Sequence, residues 1–148
     1  MGTTIERSAL VMHSAEAMFD LVNDVSAYPQ FMDGCVAAKV LSSTNSEMVA
    51  QLTLRKAGVE QRFTTRNQLQ RPRRIVMNLE EGPFTALDGV WEFSPLNDGA
   101  CKVSLELGFE FKNGAIAFAA SKLFSQVANN LVAALCQRSD EVYKGQSQ

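Results

Sequence analysis

Between Cys101 and Phe111 every second residue is apolar, and past Lys112 the spacing of apolar residues lengthens from two to that of a helix. Cys101, Val103, Leu105, Leu107, Phe109 and Phe111 alternate with Lys102, Ser104, Glu106, Gly108 and Glu110, which describes a strand with one buried and one wet face. From Lys112 to the last residue there is no proline. Ile116, Ala120, Leu123, Phe124, Val127, Leu131, Ala134, Leu135 and Val142 share one side at 100° per residue, while Lys122, Ser125, Gln126, Asn129, Asn130 and Gln137 lie off it. Asn113 is placed to cap this helix, which would run roughly 40 Å. A sheet with an apolar face and a helix with an apolar face must each be covered, and here each can cover the other.

The upstream sequence supplies the rest of that sheet. Thr4 to Met12 reads as a first strand ending at His13-Ser14, and Ser14 can cap a short amphipathic helix over Ala15–Asn23, with Glu16 in its first turn. Ser26 to Phe31 reads as a second helical turn bent at Tyr28-Pro29. Six further strands follow, at Val36–Ser43, Glu47–Arg55, Val59–Leu69, Arg74–Glu80, Phe84–Pro95 and Cys101–Phe111, separated by turns such as Thr44-Asn45-Ser46, Lys56-Ala57-Gly58 and Leu96-Asn97-Asp98-Gly99. Gly89 and Gly108 inside strands are expected to permit a bend or bulge. The order predicts an α+β helix-grip fold over residues 1–148 as one domain. A seven-stranded curved antiparallel sheet wraps the long C-terminal helix, with two short helices between strands 1 and 2, and an apolar cavity of lipid size between sheet and helix.

Composition fits that size of core, with 148 residues of which 46% are hydrophobic and 20% charged. No apolar run approaches the ~20 residues of a membrane span, and the N-terminus lacks a signal-peptide stretch, so a cytoplasmic location is expected, with peripheral membrane contact as an alternative. Cys35, Cys101 and Cys136 are odd in number and lack metal spacing, and read as small buried hydrophobes. No metal site and no required cofactor are expected.

Charge is segregated along the chain. Of the 14 basic residues, Arg55, Lys56, Arg62, Arg66, Arg71, Arg73 and Arg74 fall in one stretch that holds a single acid, Glu60. Arg62, Arg66, Arg71, Arg73 and Arg74 are candidates for an outward basic surface that meets RNA phosphates or anionic lipid; the alternative is a solvated face partly paired with Glu60 and Glu80. No stacking motif or DNA-reading element accompanies them, and no DNA partner is expected.

The inward sets supply no catalytic group. Asp88, Glu92, Glu106 and Glu110 fall on the parity opposite Leu87, Trp91, Leu107 and Phe109, and His13, the single histidine, reads as a surface or capping residue. No nucleophile elbow, zinc motif or phosphate-binding loop is present, so the chain is not read as an enzyme. On the third meander strand Gln61, Phe63, Thr65 and Asn67 share one face; turned inward, they set neutral polar groups in an oily space, to be met by a ligand head group, by one another or by trapped water. The candidate cavity set is Tyr28, Phe31, Gln61, Phe63, Thr65, Asn67, Leu87, Trp91, Phe93, Phe109, Phe124, Val127 and Leu131, each aromatic also readable as plain core. Phe118 lies opposite the apolar stripe, at a loop or at the cavity mouth.

The run Asn23-Asp24-Val25-Ser26-Ala27-Tyr28-Pro29-Gln30-Phe31-Met32-Asp33-Gly34-Cys35, the segment Phe63-Thr64-Thr65-Arg66-Asn67, the block Gly82-Pro83-Phe84 with Leu87, Gly89, Trp91 and Phe93, and Phe109-Glu110-Phe111 together resemble the START-like group that includes bacterial ribosome association toxins and mitochondrial coenzyme Q-binding proteins. The group usually has proline where this chain has Asp33. The resemblance implies binding of ubiquinone or a similar prenyl lipid in support of respiration. Its alternative implication is binding to the large ribosomal subunit with a block of subunit association, as one half of a toxin–antitoxin pair. Aromatase/cyclase enzymes are more distant members, disfavoured by the missing inward acid or base.

Overall fold

The computed structural model describes residues 2–112 and 114–143. Its elements are β1 (Thr3–Val11), α1 (Ala15–Asn23), a 3-10 turn (Val25–Gln30), β2 (Cys35–Ser43), β3 (Glu47–Lys56), β4 (Val59–Gln70), β5 (Arg74–Glu81), β6 (Phe84–Asn97), β7 (Ala100–Phe111) and α2 (Ala115–Val142). Every expected element is present, with ends displaced by one or two residues where the periodicity allows it. The Ser14 hydroxyl accepts from the Ala17 amide at 3.1 Å and fixes the start of α1. The expected cap of the last helix, Asn113, lies outside the described residues. Gly114 precedes α2 and makes no side-chain capping bond.

All pairings are antiparallel, in the order β1-β7-β6-β5-β4-β3-β2. The first two strands in sequence therefore form the two opposite edges. In a flat sheet they would stand roughly 29 Å apart at ~4.8 Å per strand, so the chain between them must cross the whole sheet. It does so through α1 and the 3-10 turn, which close one end of the curve.

Register places one row of residues across the concave face: Ile5, Leu107, Gly89, Met77, Asn67 and Met48 are successive partners. Gly89 matters here for space. A Cβ on it would lie 2.7 Å from Met77 Cε and 2.8 Å from Leu107 Cδ1, so the two longer side chains occupy the room it leaves. No bulge falls at the strand glycines: pairing runs without interruption through Gly89 and Gly108, and the register shifts fall at Cys35/Ala37, Val40/Ser42, Thr64/Thr65, Phe84/Ala86 and Pro95/Asn97.

Across this face lies α2. Its buried side is Ala120, Leu123, Phe124, Val127, Ala128, Val132, Leu135 and Ser139. That stripe is rotated from the one read in the sequence: Leu131 and Ala134 are half-buried and Val142 is exposed, while Ala128 and Val132 take core positions. A periodic sum over the whole helix averages its two ends together, whereas the deepest burial falls toward the C-terminal half, at Leu135 and Ser139. Five phenylalanines then plug one end of the core. Phe124 reaches Phe109 at 4.6 Å, Phe84 at 5.1 Å and Phe63 at 5.5 Å between ring centroids, and Phe84 meets Phe111 at 4.3 Å.

Candidate functional site

Two features carry binding potential, a hollow under α2 and the basic side of the outer sheet face. The hollow is lined by Tyr28, Met32, Leu52, Leu54, Phe63, Thr65, Met77, Leu87, Trp91, Leu107, Phe124, Val127, Ala128 and Leu131, and encloses about 80 Å³. A second void of about 60 Å³ shares Tyr28, Leu52, Phe63, Thr65, Met77 and Trp91 with it and extends to Asn67. Both are far below the ~300–1,000 Å³ of ordinary ligand pockets, so the interior does not have the lipid size expected from the sequence. Side chains take up the difference, Met77 and Leu107 converging above Gly89 and the phenylalanine plug closing one end.

Of the predicted lining set, Tyr28, Phe63, Thr65, Leu87, Trp91, Phe124, Val127 and Leu131 meet at the hollow and Asn67 at the second void. Phe93 and Phe109 do not line it; they are core, Phe93 against Phe19 at 5.6 Å and Phe109 against Phe124. Phe31 sits half-buried at the surface with the Arg138 guanidinium 5.3 Å over its ring. Met32, Leu52, Leu54, Met77, Leu107 and Ala128 line it outside the predicted set, and Gln61 of that set lines neither void. The parity of β3 and β5 was a usable signal for Leu52, Leu54 and Met77.

The hollow contains little chemistry. Tyr28 donates its hydroxyl to the Val22 carbonyl, and burial, with Cys35 and Asp24 adding to it, pushes that hydroxyl well above its ordinary range. Thr65 donates to Asn67 Oδ1 at 2.9 Å. The buried polar side chains among the described residues are Thr53, Gln61, Thr64, Thr65, Asn67 and Ser139, none of them an acid or base. Gln61 stands apart: neither Nε2 nor Oε1 has a partner among the described residues. No group of three metal-ligating side chains occurs among the described residues. The three cysteines are free thiols, two of them buried.

His13 lies in the capping region, directly before Ser14, and is tied down there. Its side chain is only 10% exposed, with Nε2 2.9 Å from Asp140 Oδ1 and its ring 5.5 Å from Tyr143, whose hydroxyl donates to the Ala17 carbonyl. It joins the end of β1 to the last turn of α2 rather than facing solvent.

On the outer face the basic side chains divide into paired and unpaired. Arg66 is held between Glu47 (2.5 Å) and Glu80 (2.7 Å); its bonds to Glu80 above all raise its pKa, and Glu47, bonded first by Gln68 and then facing Arg66, is held below the usual carboxylate range. Arg71 makes two bonds of 2.8 Å to Asp20. Arg62, Arg73 and Arg74 are exposed and have no acidic partner among the described residues. The expected five-residue patch therefore reduces to three available cations at two places, Arg62 toward the β3–β4 turn and Arg73 and Arg74 at the β4–β5 turn, roughly 26 Å along β4, with Arg66 and Arg71 committed to the fold.

Sheet order, the two helical segments crossing between edge strands and one long helix over the concave face place the molecule among START-like, Bet v 1-like helix-grip domains. The aromatase/cyclase Zhui of Streptomyces sp. R1128 superposes with a TM-score of 0.84 at 15% identity, covering 99% of this chain and 98% of that one. The model of the polyketide cyclase/dehydrase and lipid transport family matches residues 11–136, and the chain belongs to that family. Within it, the chain is 48% identical over 143 residues to the ribosome association toxin RatA of Pseudomonas aeruginosa, covering 97% of this chain and 99% of that one. It is 29% identical to the mitochondrial coenzyme Q-binding protein COQ10 homolog B of Xenopus laevis, covering 92% of this chain and 57% of that protein. No helix among the described residues is long and apolar enough to cross a membrane.

Proposed function

We propose that the chain is a non-enzymatic, cytoplasmic ribosome-associating protein that binds the large subunit through the basic side of its outer sheet face and so opposes subunit association. The observation that carries this reading is the 48% identity to RatA along almost the full length of both chains. The three unpaired arginines supply a physical means. Phosphate contacts by Arg62, Arg73 and Arg74 need no base-reading element, and arginines not already spent on carboxylates keep their charge and hydrogen-bond donors for an incoming phosphate.

Co-sedimentation with isolated subunits in increasing salt tests it. Binding to the large subunit should weaken steeply with salt, and the triple variant R62E/R73E/R74E should lose it; each lost phosphate contact lowers the slope of log K against log salt by about one. Binding that ignores salt and survives the triple reversal would remove this mechanism.

A second reading, a ligand role for the hollow, is favoured by the unmatched Gln61 amide. A ubiquinone-type prenyl lipid is the weaker version of that reading. It rests on a relative at 29% identity, and about 80 Å³ is far too small for a prenyl chain of several isoprene units.

A further inference from the structure

Gln61 is 6% exposed, and its side chain offers one amide nitrogen and one carbonyl oxygen that nothing among the described residues meets. Its neighbours show how such groups are otherwise satisfied: Thr65 and Asn67 bond each other, and Gln51 Nε2 bonds Thr64 Oγ1. A buried amide left unmatched on both sides is costly, and its position is informative. On β4, Gln61 stands between Val59 and Phe63 and directly opposite Leu54 on β3. Phe63 and Leu54 line the hollow. Val59 lines a solvent-open groove of about 530 Å³ between the β3–β4 turn (Lys56, Ala57) and α2 (Ala119, Lys122, Leu123). Gln61 lines neither space itself; on β4 it stands between a residue of the outside groove and residues of the inside apolar space.

We propose that Gln61 is the polar recognition group of a binding site running from this groove into the hollow, and that it selects a neutral amide head group, a primary carboxamide or lactam, on a short aliphatic chain. The inference rests on the ligand reading of the hollow and specifies its ligand. Nε2–H donates to the ligand carbonyl while the ligand N–H donates to Oε1, so two parallel bonds satisfy both orphaned atoms. A quinone carbonyl only accepts and leaves Oε1 unmatched. A carboxylate has no N–H to donate and sets its second oxygen against Oε1. Chain length is bounded by volume: about 80 Å³ admits only a short chain.

Trp91, the single tryptophan, lines the hollow and reports occupancy by its fluorescence. The experiment titrates the full chain and its Gln61→Leu variant with hexanamide and with 1-hexene, an apolar probe of similar length. The expected result is that Gln61→Leu weakens hexanamide binding about tenfold and leaves 1-hexene binding unchanged. In the native chain, the Gln61 side-chain NH₂ resonances should move with hexanamide and stay in place with 1-hexene, a readout independent of the variant's folding. Equal hexanamide affinity in both chains, or Gln61 resonances that ignore hexanamide while Trp91 responds to it, would overturn the amide assignment and leave the hollow as an unselective apolar site. No Trp91 response to either probe in the native chain would overturn the ligand reading itself.

Discussion

Single residues show where local pattern informs and where it does not. The inward direction of Gln61, Thr65 and Asn67 was legible because β4 alternates and parity fixes the face. That Gln61 alone of the three is unmatched was not, since the Thr65–Asn67 bond depends on rotamers that no spacing encodes. His13 was unreadable for a different reason: its partner Asp140 lies 127 residues away. The cysteines were legible as buried hydrophobes, and Cys101 carries a pH prediction. Burial, with Cys136 and Glu16 adding to it, pushes its thiol from 9.0 up to about 11. The folded state therefore keeps this proton where the unfolded chain has lost it. The associated stability is complete below pH 9 and disappears as pH rises to about 11. Urea midpoints measured from pH 8 upward should fall across this window, and Cys101→Ala should flatten the fall; an unchanged slope would contradict the assignment.

At the scale of elements, strands and helices were legible almost throughout because their periods differ, but the contacts that lock them together were not. The loop between the 3-10 turn and β2 illustrates this. Asp33 reaches Lys56 Nζ at 2.7 Å, tying the loop to the β3–β4 turn, while the Gly34 carbonyl accepts from the Arg55 amide. Gly34 itself has φ +91° and presses on α2, so that a Cβ there would lie 2.8 Å from Val127 Cγ2. Gly34→Ala should combine left-handed backbone strain with overpacking and cost about 2–4 kcal/mol. Val127→Ala beside it should recover the packing part and leave the backbone part, giving a favourable coupling of about 1–2 kcal/mol in a double-mutant cycle by urea unfolding. Strict additivity would show that loop and helix are not in contact.

For the whole molecule, sequence order was enough to specify a sheet gripping a helix, since an apolar sheet face and an apolar helix of matching length have few other arrangements. The size of the enclosed space was not legible. It depends on how far Met77, Leu107 and the clustered phenylalanines fill the interior, which is a property of three-dimensional packing rather than of pattern. The small hollow moves the weight of the functional account outward, to a surface on which Arg66 and Arg71 hold the fold together while Arg62, Arg73 and Arg74 remain available. The most direct measurement is a sucrose gradient of dissociated ribosomal subunits returned to association conditions with and without the chain. The account predicts that the native chain lowers the associated-ribosome peak and migrates with the large subunit, and that R62E/R73E/R74E does neither. An associated peak untouched by the native chain at saturating concentration would contradict it.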